Sequence, residues 1–428
     1  MRNQELILYR NFEDGELLKN MIHVIENFRK EDISRTDLRS LFFDCFHGLL
    51  ELAGKYGFSG NLWHCYLTNL LVNNENSFSL ASEMVGKIEG TINDAAIHDI
   101  EIIKELYDYD FTDLTNTLDI KDFSIALNYI PSQREAKVYN TRIVDRIVTL
   151  SELFDKTKNA QEMKETLSEF YKDYGVGKFG LHKAFRVVGT KIEPITNIAH
   201  VNLEDLVGYE DAKAALIENT EAFVAGRPAN NCLLFGDAGT GKSSSIKAIA
   251  NKYYEDGLRI IEIYKHQFKA LNDVIAQIKN RNYKFILYMD DLSFEDFEIE
   301  YKYLKAVIEG GLEKKPKNVL IYATSNRRHL VNEKFSERST KDDEVHYRDT
   351  VQEKLSLYAR FGVTIFFDSP SNKEFNEIVL TLAKRSGIEM DEKSLILQAN
   401  QWELTHGGLS GRTAWQFIQY LLGKSDDK

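Results

Sequence analysis

The run Gly236-Asp237-Ala238-Gly239-Thr240-Gly241-Lys242-Ser243 has the residue types and spacing to hold a chain of phosphates. Its glycines let successive backbone N–H groups turn toward one anion. Lys242 supplies a charge that reaches the β- and γ-phosphates, and the Ser243 hydroxyl is a ligand for Mg²⁺. Ser244 then opens the helix-like stretch Ser244-Ser245-Ile246-Lys247-Ala248-Ile249-Ala250, whose positive N-terminal end points at the same anion. Upstream, Cys232-Leu233-Leu234-Phe235 reads as a short buried strand. Strand, glycine-rich loop and helix in that order make a phosphate-binding loop, rather than a glycine turn that happens to carry Lys-Ser.

A second set of candidates lies at the ends of two later apolar runs. Asp290-Asp291 follows the run over 285–289. A carboxylate at the end of a buried strand beside a phosphate loop can hold Mg²⁺ through water, which suits Asp290, while Asp291 can orient or deprotonate an attacking water. An isolated Asp-Asp pair would be read as an acidic turn; downstream of a full phosphate loop the metal-holding reading is favoured. The run over 319–322 leads into Ala323-Thr324-Ser325-Asn326-Arg327-Arg328. Asn326 there can position water against a γ-phosphate, and a helix cap or turn is the plainer reading of the same residues.

Positioning these groups requires a parallel sheet covered by helices. From Leu206 onward short apolar runs alternate with helix-length segments, and strands are expected over 232–235, 259–264, 285–289, 319–322 and 363–367. Their lack of polar alternation fits burial on both faces. Pro194, Pro228, Pro316 and Pro370 punctuate this half, each able to end a helix or begin an extended segment. The first 120 residues or so carry apolar side chains at helical spacing instead. Leu17, Leu18, Met21, Ile22 and Ile25 share one face, and Leu38, Leu41, Phe42, Cys45, Phe46 and Leu49 another. Residues 141–174 also read as helical, with Ile143, Ile147, Leu150 and Leu153 as the stripe. Gly175-Val176-Gly177-Lys178-Phe179-Gly180 reads as a flexible connector in preference to an anion contact made with Lys178, Lys183 and Arg186.

With 428 residues the chain is too long for one ordinary core. Its 43% hydrophobic and 28% charged residues suit a soluble globular protein. No apolar run approaches signal-peptide or membrane-span length, so a cytoplasmic protein without a membrane partner is expected. Cys45, Cys65 and Cys232 read as buried thiols. His47, His64 and Cys65 match no standard metal spacing. A net charge of −12 argues against a broadly basic nucleic-acid face but leaves room for a local one.

In order along the chain, Leu206-Val207-Gly208, the phosphate loop, Asp290-Asp291, Thr324-Ser325-Asn326, Ala359-Arg360-Phe361-Gly362 and Ser410-Gly411-Arg412 resemble the motifs of an AAA+ ATPase. Pro228-Ala229-Asn230-Asn231, Asp290-Asp291-Leu292-Ser293-Phe294-Glu295 and Ser410-Gly411-Arg412-Thr413-Ala414 resemble more closely the bacterial ATPase family catalogued as domain of unknown function 815. The likeness covers about residues 200–424. The residue patterns give a helical N-terminal domain over 1–140, a helical segment and linker over 141–200, five strands within 201–370 and two helical hairpins within 371–428; the likeness implies that 201–370 is an AAA+ core and 371–428 its C-terminal helical lid. It also implies ATP and Mg²⁺ as ligands and a homo-oligomer. Asn326 matches the sensor-1 position, Arg360 the arginine finger serving a neighbouring subunit, and Arg412 sensor 2. Arg327, Arg328 and Arg348 are rivals for the finger. Trp402 and Trp415 are expected as core anchors of the lid.

One departure concerns turnover. The resemblance implies Glu after the Mg²⁺-binding Asp, whereas Asp291 is one methylene shorter, which is similar to the helicase-loader and transposition-helper branch. Slow hydrolysis is expected, with Glu295 as a substitute base. The leading function is ATP hydrolysis that remodels or loads a protein or nucleic-acid partner. The alternatives are a conformational switch with negligible hydrolysis and a small-molecule phosphotransferase, for which no acceptor site is evident. A partner is expected to dock on the N-terminal domain or on the polar stretch 331–350.

Overall fold

The computed structural model describes residues 3–131, 141–196, 198, 201–293, 300–309, 316–326 and 359–425. Glu295, Arg327, Arg328, Arg348 and the stretch 331–350 therefore lie outside the described residues. The chain divides into two compact units, Met1–His182 and Lys183–Lys428. Among the described residues no helix is long and apolar enough to cross a membrane.

The first unit is built from helices. In chain order they are α1 (Glu16–Asn27), α2 (Arg35–Tyr56), α3 (Leu62–Asn73), α4 (Ser77–Val85), α5 (Ile92–Tyr107), α6 (Thr112–Thr117), α7 (Ser124–Leu127), α8 (Thr141–Asp155), α9 (Ala160–Tyr174) and α10 (Gly177–Leu181). Side-chain caps start several of them. Ser34 accepts from the Asp37 amide, Asn61 from His64 and Asn159 from Glu162, each satisfying a backbone donor that the first turn leaves free. α3 is buried nearly all round, so Trp63, Tyr66 and Leu70 anchor the core together with Tyr9, Phe42, Tyr107 and Tyr171. The polar tips of those aromatics are satisfied: Trp63 Nε1 donates to the Leu106 carbonyl at 2.8 Å and Tyr171 Oη to that of Leu71 at 2.6 Å.

Two sequence expectations in this unit change. On α8 the buried stripe is Ile147, Leu150 and Phe154, and Leu153 is 46% exposed, because the 3.6-residue period carries the face on to position 154. The glycine-rich stretch 175–180 is not a flexible connector. It forms the start of α10 with Phe179 and Leu181 buried, and the Val176 amide donates to Glu83 Oε2. A Cβ on Gly180 would lie 2.7 Å from the Tyr174 carbonyl oxygen, so this glycine permits close packing.

The second unit contains a seven-stranded sheet in the order β2-β1-β4-β5-β6-β3-β7. Its strands are β1 (Ala184–Val188), β2 (Lys191–Pro194), β3 (Cys232–Gly236), β4 (Leu258–Glu262), β5 (Lys284–Met289), β6 (Val319–Ser325) and β7 (Val363–Phe367). The five expected strands are present and parallel. The count of five is corrected to seven by the β1–β2 hairpin, which extends the edge beyond β4 with β1 parallel to β4 and antiparallel to β2. The hairpin escaped notice because its few residues mix charged and apolar types. Within it Arg186 faces Glu193 at 3.7 Å, and Lys183 donates to Asn251. β3 and β6 are buried at every position, as central strands covered on both faces must be, whereas the edge strand β7 leaves Phe366 53% exposed.

Helices α11 (Glu210–Val224), α12 (Lys242–Lys252), α13 (Leu271–Ile278) and α14 (Glu300–Glu309) lie between the strands in sequence. The C-terminal segment is three helices rather than two hairpins: α15 (Asn372–Arg385), α16 (Glu392–Glu403) and α17 (Gly411–Ser425). They share a core of their own around Phe375, Val379, Leu395 and Phe417. α15 begins with a reciprocal cap between Ser371 and Glu374 immediately after Pro370. Trp402 packs against this core and stacks on His406 at 3.7 Å, but Trp415 is 45% exposed and is not a core anchor.

Candidate functional site at the carboxyl edge of the sheet

Parallel strands deliver their C-terminal ends to one edge, and the central position of β3 between β6 and β7 puts its loop in the middle of that edge. Gly236 ends β3 with φ +135°, and a Cβ there would stand 1.9 Å from the Phe367 carbonyl oxygen, so no other residue fits against β7. Gly239 and Gly241 also have positive φ, Gly241 being the N-cap of α12. Asp237 and Ala238 are exposed at the loop's tip, Thr240 is buried with its hydroxyl donating to the Asp237 carbonyl at 2.8 Å, and Ser244 sits half-buried in the first turn of α12.

Lys242 folds back over this loop. Its Nζ donates to the Gly236 carbonyl at 2.9 Å and to that of Asp237 at 2.5 Å, and the residue is 5% exposed. Burial pushes its pKa down; the carboxylates of Asp237, Asp291 and Asp290 oppose that shift and Arg412 adds to it. The ammonium is thus held against the carbonyls of its own loop.

The carboxylates come from the end of β5. Asp290 Oδ1 accepts from Ser243 Oγ at 2.7 Å and from Thr324 Oγ1 at 2.6 Å. Burial of the carboxyl works against its charge, but the Thr324 and Ser243 hydroxyls, the nearby Tyr288 hydroxyl and Lys247 together hold its pKa below the usual carboxylate value. Thr324 Oγ1 also accepts from the Asp291 amide at 2.9 Å, and the Leu292 amide donates to the Thr324 carbonyl at 2.7 Å. One threonine therefore fixes both ends of the acidic turn. Asp291 adopts φ +49°, a left-handed conformation costing about 1 kcal/mol or more for a non-glycine residue, and its Oδ1 accepts from Asn326 Nδ2 at 2.8 Å.

The donor set suits Mg²⁺. Ser243, Asp290 and Thr324 offer only oxygens, as a hard cation requires. Among the described residues no group of three His, Cys, Asp or Glu side chains is placed to cage a metal. Mg²⁺ characteristically takes one or two protein ligands and completes its shell with water and phosphate, which is what this edge can provide.

Arg412 is the second residue of α17 and its amide donates to the Gly239 carbonyl at 3.2 Å, so the C-terminal helices touch the loop directly. Arg360 lies elsewhere. It precedes β7, where the Val363 amide donates to the Asn231 carbonyl at 3.2 Å beside the start of β3. Because β3 and β7 are parallel, Arg360 is at the opposite edge, about 16 Å of strand away from the loop. The structure thus brings together the loop, Asp290, Asp291, Asn326 and Arg412, and leaves Arg360 apart from them.

Sequence reasoning passed over several participants. Thr324 was one residue in a polar strand end, and its two contacts exist only because β6 pairs with β5 in the register Met289↔Ala323. Ser369 donates to Asp237 Oδ2 at 2.6 Å, tying the loop to the chain that leads into α15. A cavity of 910 Å³ beside the loop is lined by Leu206, Val207, Gly208, Tyr209, Ile378 and Arg385, among others. Tyr209 packs against Phe367 with ring centroids 5.4 Å apart and the planes tilted by 34°, and its hydroxyl is pushed up to about 12 by burial, with Glu374, Asp368 and Asp237 adding to the shift.

The family described as protein of unknown function (DUF815) matches residues 181–425. Among known proteins, the replication factor C large subunit of Staphylothermus marinus is 36% identical over 73 residues, 17% of this chain and 16% of that protein. Replication factor C subunit 3 of Schizosaccharomyces pombe is 35% identical over 81 residues, 18% of this chain and 22% of that protein. The chain thus matches less than a quarter of the length of either relative. Among solved structures, the Thermotoga maritima RuvB Holliday junction branch migration motor aligns with a TM-score of 0.31 at 14% identity, covering 51% of this chain and 72% of that chain. A Thermotoga maritima RuvB mutant aligns with 0.34 at 15% identity, covering 51% and 64%.

Proposed function

The chain belongs to the family described as protein of unknown function (DUF815), and we propose that it is an AAA+-like P-loop ATPase that binds ATP with Mg²⁺ and hydrolyses it, slowly, to remodel or load a protein or nucleic-acid partner. The observation that carries this reading is the convergence of Ser243, Thr324 and Asn326 on Asp290 and Asp291 beside the phosphate loop. Structural ion pairs would use cations; here hydroxyls and an amide organise two carboxylates at a sheet edge.

In this reading the loop amides and Lys242 hold the triphosphate, Lys242 exchanging the Gly236 and Asp237 carbonyls for phosphate oxygens. Ser243 and Asp290 hold the metal. Mg²⁺, when bound, supplies positive charge against the β- and γ-phosphate oxygens. Asp291 accepts a proton from the attacking water, and Asn326 aligns that water or the carboxylate. Arg412 approaches from α17, so that nucleotide draws the C-terminal helices onto the loop. The adenine occupies the cavity by Val207 and Tyr209, whose volume is within the range of small-molecule sites. Arg360, a strand's length from its own loop, serves the site of a neighbouring copy in a homo-oligomer.

The hydrogen bond from Asn326 to Asp291 favours a second reading. With its base engaged, the site is set for binding before turnover, and an ATP-dependent switch with negligible hydrolysis uses the same residues. Phosphate release by the purified chain, compared with Lys242→Ala at high protein concentration with and without DNA, separates the two. Release above the Lys242→Ala background supports the hydrolase; its absence alongside tight ATP binding leaves the switch. If Arg360→Ala changes neither turnover nor self-association, the neighbouring-copy role fails.

A further inference from the structure

Tyr288 and Tyr322 pair in register across β5 and β6, and both belong to the same core. Their hydroxyls are treated differently. Tyr322 Oη accepts from Asn219 Nδ2 at 2.9 Å and pairs with Thr220 Oγ1 at 3.0 Å. Tyr288 is 3% exposed, and its buried hydroxyl has no hydrogen-bond partner in the protein. It lies close enough to Asp290, Ser243 and Thr324 to help hold the Asp290 carboxylate ionised, yet none of the three meets it at the distance and angle of a full hydrogen bond. Leaving a buried hydroxyl unpaired destabilises a fold, and phenylalanine would fill the same space without that cost. Strand alternation puts Tyr288, two residues before Asp290, on the side of β5 that carries the metal-holding carboxylate.

We propose that Tyr288 is a positioning residue for the metal site: its hydroxyl donates a full hydrogen bond to the Asp290 carboxylate when that carboxylate turns to hold the cation, a bond the empty site lacks. This rests on the ATP and Mg²⁺ reading above. It adds a residue that stabilises the loaded site at the expense of the empty fold, and Tyr322 is its internal control.

The test is a Mg²⁺ titration of a fluorescent ATP analogue bound to the full chain, together with thermal melting of the nucleotide-free protein. Tyr288→Phe is expected to raise the half-saturating Mg²⁺ concentration about tenfold, the size of effect seen when a partner of a metal ligand is removed. It should leave the affinity for the analogue in EDTA unchanged and raise the melting temperature of the free protein. Tyr322→Phe should do the reverse, lowering the melting temperature with no shift in Mg²⁺ dependence. A Tyr288→Phe half-saturation within about twofold of wild type, or a melting temperature that falls as in Tyr322→Phe, overturns the proposal, as does failure of Tyr288→Phe to fold. Absence of Mg²⁺-dependent binding in the wild type itself overturns the functional reading along with it, and the two failures are therefore distinct.

Discussion

Asp99 in the helical unit and Asp290 at the edge of the sheet are both carboxylates held by converging donors, and what holds them differs. Asp99 is fully buried on α5 and accepts from the backbone amides of Ile7, Leu8 and Tyr9 at 2.6–3.1 Å. Those donors belong to the chain itself and are available in every state, so the carboxylate pins the N-terminal segment permanently. Asp290 is open to solvent, though its carboxyl is partly desolvated, and it accepts from the hydroxyls of Ser243 and Thr324, which can also act as oxygen ligands. A carboxylate satisfied by backbone holds a fold together; one satisfied by exchangeable hydroxyls is able to change partners. Polar groups of the first kind serve stability, and the phosphate-loop edge is made of the second.

Breaking the edge at its charge should give the largest functional effect. Lys242→Ala is expected to lower ATP-dependent phosphate release by about 10³-fold, the loss typical of removing a donor aimed at developing charge. Its effect on the melting temperature should be smaller than that of Asp99→Ala; a larger one would place Lys242 with the structural group and erase the contrast. Breaking the other side, Asp99→Ala leaves the Ile7, Leu8 and Tyr9 amides without their acceptor and should cost about 3 kcal/mol. Chemical denaturation measures this, and nucleotide affinity should be unchanged. Should ATP binding fall with it, the separation of roles between the two regions is wrong.

Smaller changes sharpen the comparison. Asn326→Ala removes a single exposed hydrogen bond to Asp291, so stability should change by less than about 1 kcal/mol while turnover, followed by phosphate release, changes about tenfold. A fall identifies Asn326 as an aligning group, and a rise identifies it as a restraint on the base. The smallest effect is a pH shift. The Asp290 pKa is lowered in the folded chain, so its stabilising contribution is complete above the ordinary carboxylate pKa and disappears as pH falls through the folded value. Thr324→Val removes one of the bonds responsible and should move that loss to higher pH. Melting temperatures measured between about pH 3 and pH 5 will show it, and identical profiles for the two proteins would dissociate Thr324 from the carboxylate.

The legible parts of the molecule were those whose signal is local. The phosphate loop needs glycines, Lys and Ser at fixed spacing between a strand and a helix, and all of that lies within 232–250. β3, β5 and β6 announce themselves by nearly unbroken apolar composition because both of their faces are covered, whereas the edge strand β7 shows the same kind of composition while leaving Thr364 and Phe366 exposed. The β1–β2 hairpin carried no such mark: Ala184–Val188 alternates burial and Lys191–Pro194 is charged and short, so only pairing with β4 makes it part of the sheet. Trp415 shows the limit of composition, since an aromatic at helical spacing still falls on the exposed face. The rivals Arg327, Arg328 and Arg348, with Glu295, lie outside the described residues, so the comparison of fingers rests on Arg360 alone.

What the sequence determined by itself is the list of groups able to do chemistry, since a phosphate loop and an acidic strand end are specified by residue type and short-range spacing. Tertiary structure decided which of them meet. Parallel register carried Thr324 to Asp290 across 34 residues and Asn326 to Asp291 across 35. The same parallel order carried Arg360 away from the loop, and it left the Tyr288 hydroxyl without a partner while satisfying that of Tyr322 beside it. Contacts of that kind depend on how strands align, and strand alignment is set by burial of whole faces rather than by any neighbouring residue.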